Sequence, residues 1–104
     1  MSEADRLKLP FESDGLMEID INDARTDAAI ITGTHTFTLY EVDGVTAVSD
    51  GAGSFAHDTG ARWYGYMPYN ADVEKGKIYR LLISLSGNGF VRKIWLDTEF
   101  VSYG

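Results

Sequence analysis

The sequence predicts an all-β domain, an antiparallel sandwich of about seven strands behind a flexible N-terminal arm. Three observations lead there. Several stretches alternate apolar and polar residues with the two-residue period of a strand. Clusters of Gly, Asp, Asn and Ser recur roughly every ten residues and read as turns. No stretch holds the 3.6-residue apolar period of a helix. At 104 residues the chain is one domain's worth, and 44% apolar with 24% charged residues is the composition of a globular protein.

Residues 1–14 are expected to form the arm, because charged and apolar residues mix there without period and Pro10 interrupts any helix. The domain then runs over 15–104. "LMEIDIN" alternates cleanly, with Met17, Ile19 and Ile21 on one face and Glu18, Asp20 and Asn22 on the other. "DARTD" supplies turn residues, "AAII" is a short apolar run and "TG" turns again. "THTFTLYEV" is rich in strand formers, with Phe37 and Leu39 opposed to Thr36, Thr38 and Tyr40. Asp43-Gly44 is a hairpin signal. "TAVSDGAGSFAHDTGA" reads as one or two short strands separated by turns, "DGAG" among the turns. "RWYGYMP" places Trp63, Gly65 and Met67 opposite Tyr64 and Tyr66.

The last two strands, "YRLLISL" and "FVRKIWLDTEF", are expected to pair across a four-residue loop, Ser86 to Gly89. In that register Leu85 faces Phe90, Leu81 faces Ile94 and Tyr79 faces Leu96. The inward set is Tyr79, Leu81, Ile83, Leu85, Phe90, Ile94, Leu96 and Phe100. Arg80, Leu82, Val91, Lys93 and Trp95 face outward, with Arg80 opposite Trp95 for a cation–π contact. Arg92 falls on the inward face opposite Ile83, which requires a bulge or a side chain that snorkels past the sheet edge. The outward apolar residues, joined by Tyr64 or Tyr66, form a candidate protein interface unless the arm folds over them. Aromatic residues and Arg are the types enriched at interface centres.

"VEKGKIY" carries the most informative spacing: an apolar Val73, Gly76 three positions on, and Tyr79 three beyond that. This is a corner of Ig-like and fibronectin-III-like sandwiches, where the chain crosses between sheets and a Tyr hydroxyl bonds back to the backbone upstream. The stretch from Ile19 to Val101 resembles the small Ig-like β-sandwich proteins of tailed bacteriophages and prophages. The residues that carry the resemblance are "ITGTHTFTLYEVDG", "ARWYGYMP" and "KGKIYRLLISLSGNG". It implies a virion structural or assembly role, with other virion proteins or further copies of the chain as partners and no catalytic residues. "ARW" before Tyr64 and the 14-residue arm depart from that pattern.

Composition narrows the chemistry further. The net charge of −7 repels phosphate backbones and argues against sequence-independent nucleic-acid binding. There is no cysteine, so neither disulfides nor thiolate metal sites can form. "MSEADRLKLPF" lacks the apolar core of a secretory signal and no run approaches the length of a membrane span, so residence in a cytoplasm is expected, and the resemblance implies that this is a bacterial host's cytoplasm and then a virion. His35 and His57 sit without the nucleophile and converging carboxylates that catalysis would need. Asp20, Asp23 and Asp27 offer hard oxygen ligands for calcium, but their spacing is not that of an EF-hand loop. "SGNG" and "DGAG" precede no helix and so are turns rather than phosphate cradles. No enzyme activity and no cofactor are expected. The rival reading is a carbohydrate-binding module that stacks sugars on Trp63, Tyr64, Tyr66, Tyr69 or Trp95.

Overall fold

Alternation decides which face each strand buries, and the computed structural model, which describes residues 6–87 and 89–102, follows it closely. The described strands are β1 (Leu7–Pro10), β2 (Gly15–Asp20), β3 (Thr34–Tyr40), β4 (Ala47–Ser54), β5 (Ala56–Thr59), β6 (Arg62–Met67), β7 (Ile78–Gly87) and β8 (Phe90–Val101). They form a five-stranded sheet in the order β1-β8-β7-β3-β4 and a three-stranded sheet in the order β2-β6-β5. Strands pair antiparallel throughout except β1, which runs parallel to β8. No helix occurs among the described residues. The architecture is all-β and compatible with a sandwich.

The two inner faces meet in one core. Met17 from β2 and Trp63 and Met67 from β6 oppose Phe37 and Leu39 from β3 and Tyr79, Leu81, Ile83 and Leu85 from β7, with Phe100 from β8. The intervening Thr36, Thr38 and Tyr40 lie on the outer face. Phe37 packs edge-on against Phe55 at 5.5 Å and spreads over Gly53, its cross-strand partner. A Cβ at Gly53 would stand 2.6 Å from Phe37 Cζ, so only glycine leaves that ring its place.

Asp43-Gly44 does join β3 to β4. Gly44 adopts a φ of 72° and the Asp43 carboxylate accepts the Val45 and Thr46 N–H groups at 2.8 and 2.9 Å. "DGAG" is not a turn. It lies inside β4 as a bulge, where the pairing slips between Thr38↔Ala52 and Tyr40↔Ala47 and Asp50 takes a φ of 59°. The bulge re-aims the strand so that Val48 enters the core.

The arm differs from its expectation. Residues 7–10 form β1 alongside β8, Leu9 is 2% exposed within the core, and the Phe11 N–H extends the pairing to the Val101 carbonyl at 2.8 Å. Leu7, Leu9 and Phe11 alternate, and that short period supplies the burial that ties the segment down. Residues 1–5 of the expected arm lie outside the described residues.

The β7–β8 register is also corrected. Gly87 pairs with Phe90, Ile83 with Ile94, Leu81 with Leu96 and Tyr79 with Thr98, a slip of two residues from expectation. The connection is two residues rather than four, the length that an Asn-Gly dipeptide favours because its backbone twist matches that of the strands. Gly89 has a φ of 86°, while Asn88 lies outside the described residues. Since side chains alternate with period two, a slip of two keeps every residue on its expected face. Arg92 therefore stays on the inward face but opposite Leu85, and is exposed near the hairpin tip.

Between β6 and β7 the chain crosses from the small sheet to the large one. The Tyr79 hydroxyl accepts the Glu74 N–H at 2.7 Å, and its ring packs edge-on against Phe100. Gly76 sits at a φ of 83° and donates its N–H to the Phe100 carbonyl at 2.9 Å, while Val73 packs against the core. Lys77 ties the corner to the end of β3 through Glu41 at 2.7 Å, an ion pair that raises the Lys77 pKa.

Candidate functional site

The outer face of the five-stranded sheet is read in rows across the strands. Tyr40, Arg80 and Asp97 form one row, and Thr38, Leu82 and Trp95 the next. Thr36, Ser84 and Lys93 follow, then Thr34, Ser86 and Val91. Arg80 and Trp95 are diagonal neighbours rather than opposite ones, and the guanidinium still lies 4.7 Å from the indole centre. The Tyr40 ring reaches the same indole at 5.6 Å. Trp95 is 38% exposed and Val91 74%, whereas Leu82 is half-buried beneath its neighbours. Because β1 pairs edge-on with β8, it extends the sheet rather than lying across this face.

Arg80, Leu82, Val91, Lys93 and Trp95 thus share one face, as their alternation requires. Tyr40 is the member that sequence reasoning missed. Its outward parity was legible, but the adjacency of β3 and β7 was not. Tyr64 and Tyr66 do not join the cluster. They lie on the outer face of the other sheet, their rings 6.1 Å apart, beside Leu16.

Among the described residues neither histidine forms an ion pair with a carboxylate. His35 is 1% exposed, donates from Nε2 to the Thr32 carbonyl at 3.0 Å, and meets Trp63 edge-on at 4.5 Å. Its Nδ1 has no partner. His57 touches the far side of Trp63 and donates from Nε2 to the Gly60 carbonyl at 2.8 Å. Trp63 is itself buried, its indole N–H donating to the Ile30 carbonyl at 2.8 Å, so it is not a sugar-stacking surface. Asp20 pairs with Arg62 at 3.5 Å. Asp23 accepts the Arg25 and Thr26 N–H groups, and those bonds hold its carboxyl below the usual range. Among the described residues no three His, Asp or Glu side chains come together to hold a metal. Nor is any described helix long and apolar enough to cross a membrane.

Two clefts remain. One, of about 580 Å³, is shallow and bounded by Phe11, Asp50, Tyr69 and Asp72. The other, of about 560 Å³, opens beside the tip of the β7–β8 hairpin, between Ile21 and Ile30 on one side and Leu85, Phe90 and Ile94 on the other. No protein-family model, no curated protein and no solved structure matches the chain.

Proposed function

We propose that this chain is a non-enzymatic, Ig-like β-sandwich that works by protein–protein contact, as a small structural component of a phage or prophage virion. The observation that carries the contact reading is the open outer face, where Arg80 and Tyr40 flank Trp95 over Leu82. Such a mixture of aromatic, aliphatic and guanidinium groups is what interface centres concentrate. The Ig-like reading draws support from strand order. If β2, β3, β6 and β7 are taken as B, C, E and F, the small sheet reads B-E-D and the large one G-F-C-C′, with the first strand moved across to G. The tyrosine that bonds upstream lies at the start of the F-equivalent strand, where Ig-like sandwiches carry it. The virion assignment rests on the resemblance of the three quoted stretches, since fold alone does not assign function.

The test is to purify phage particles from a host that expresses the chain and quantify it in them. The wild type is expected in the particles and Trp95→Ser depleted from them at equal expression and equal Tm. Absence of the wild type, or indifference to Trp95→Ser, overturns the reading. A carbohydrate-binding alternative is favoured by Tyr69, 65% exposed at the rim of the shallow cleft beside Asp50 and Asp72. Glycan-array binding that disappears in Tyr69→Ala selects it instead.

A further inference from the structure

Among the described residues the edge of β8 is only half covered. β1 pairs with Thr98 to Val101, and at Arg6 the chain bends, its guanidinium held by Glu99 at 3.1 Å. From Phe90 to Leu96, β8 has β7 on one side and no described strand on the other. The direction of the backbone groups can be counted back from the covered half. The Val101 carbonyl accepts from Phe11 on the β1 side, and the Phe100 carbonyl accepts from Gly76 on the β7 side. Strand backbone groups alternate sides with each residue, and β8 keeps an unbroken register with β7. The N–H and C=O groups of Val91, Lys93 and Trp95 therefore point to the side of β8 away from β7, where no described strand pairs with them. Exposed ladder groups of this kind are a template for another strand.

We propose that this edge takes the same edge of a second copy of the chain, antiparallel about a twofold axis at Ile94. In that register Lys93 and Trp95 of one copy exchange backbone hydrogen bonds with Trp95 and Lys93 of the other, and one sheet runs through both copies. β1 sets the limit, because pairing beyond Asp97 would run into it. Charge is self-complementary across this axis. Lys93 and Asp97 lie on the same outer face four residues apart, and neither has an ion pair among the described residues. Antiparallel approach sets each Lys93 opposite the second copy's Trp95 and diagonal to its Asp97 on one side and its Lys93 on the other, so the long side chain reaches the carboxylate and the indole by turning from the like charge. On the inner face Ile94 meets Ile94, and the incoming Leu96 turns toward the cleft, whose lining mixes Ile21, Ile30, Leu85 and Phe90 with Asp20, Asp23 and Arg25. Arg92, turned inward and without an ion pair among the described residues, then lies at the rim of the joint beside Leu96 of the second copy.

The joint is carried by backbone groups of the β8 edge, with Lys93, Trp95 and Asp97 as its side-chain contacts, so Lys93→Pro tests the edge while Leu82→Ser tests the outer face away from it. Sedimentation velocity from roughly 10 µM to 1 mM is expected to show the mass of the full chain rising from monomer toward dimer. Lys93→Pro removes one free-edge donor and leaves the β7 ladder intact, since the Lys93 N–H points away from β7. It is expected to weaken association at least about tenfold at unchanged Tm. Lys93→Asp weakens it too, and adding Asp97→Lys restores it. Leu82→Ser, on the outer face, leaves it unchanged. A chain that stays monomeric throughout overturns the proposal, as does association that survives Lys93→Pro or is lost only in Leu82→Ser.

Discussion

Tyr79 shows how one side chain can serve the core and the backbone together. Its ring is 1% exposed against Phe100, while its oxygen accepts the Glu74 N–H at the start of the corner. Tyr79→Phe keeps the packing and removes the acceptor. It is expected to cost about 1 kcal/mol in urea unfolding, with an unchanged m-value because the area buried does not change. Val73, Gly76 and Tyr79 were legible because a corner of this kind needs particular residue types at fixed offsets. Tyr40 was not legible as a partner of Trp95, since period-two alternation states which face a residue takes but not which strand lies alongside. Arg92 stood out in the sequence as an inward charge, and its placement near the hairpin tip, exposed beside the cleft, accommodates it without a bulge.

Short elements were the hardest to read. β1 spans four residues, too few for alternation to stand out from a mixed charged segment, and only its pairing with β8 and the burial of Leu9 reveal it. The bulge in β4 was misread because Asp and Gly serve equally in turns and in the left-handed position of a bulge. The β3–β4 turn, in contrast, was written plainly in Asp43-Gly44, and its chemistry predicts a pH response. Bonds from the Thr46 and Val45 N–H groups, with the Thr46 hydroxyl, hold the Asp43 carboxyl below its ordinary value. A folded-state pKa below the unfolded one gives stability that is complete above the unfolded value, about 3.9, and is lost as pH falls through the folded one. Asp43→Ala is therefore expected to lower Tm by a constant amount from pH 7 down to about pH 5, and the difference from wild type should shrink below about pH 4. Thermal melts followed by circular dichroism at each pH check this. A Tm gap that widens in acid would mean that the carboxylate does not carry the turn.

For the whole molecule, what alternation cannot supply is the partition of strands between sheets. The strand faces were readable one by one, but the neighbours that place Tyr40 beside Arg80 and leave one edge of the Phe90–Leu96 half of β8 without a described partner emerge only from topology. Topology joins a sheet edge and a partly apolar face that favour contact to a chain of net charge −7, and contact and charge oppose each other when two copies meet. At about 10 mM salt the Debye length is roughly 30 Å, long enough for each copy to feel most of the other's charge. At about 150 mM it falls to roughly 8 Å and the repulsion is confined to the joint. The local attraction of Lys93 for Asp97 weakens over the same range, but an exposed pair contributes at most about 1 kcal/mol and is the smaller effect. Association of the chain with itself is therefore expected to strengthen severalfold between these salt concentrations, as followed by sedimentation. Docking of a basic partner would do the opposite, its affinity falling as salt screens the attraction to the acidic surface. A self-association that weakens steadily with salt would mean that opposite charges hold the copies together, and the joint at Ile94, built on backbone bonds and apolar side chains, would not be the one that forms.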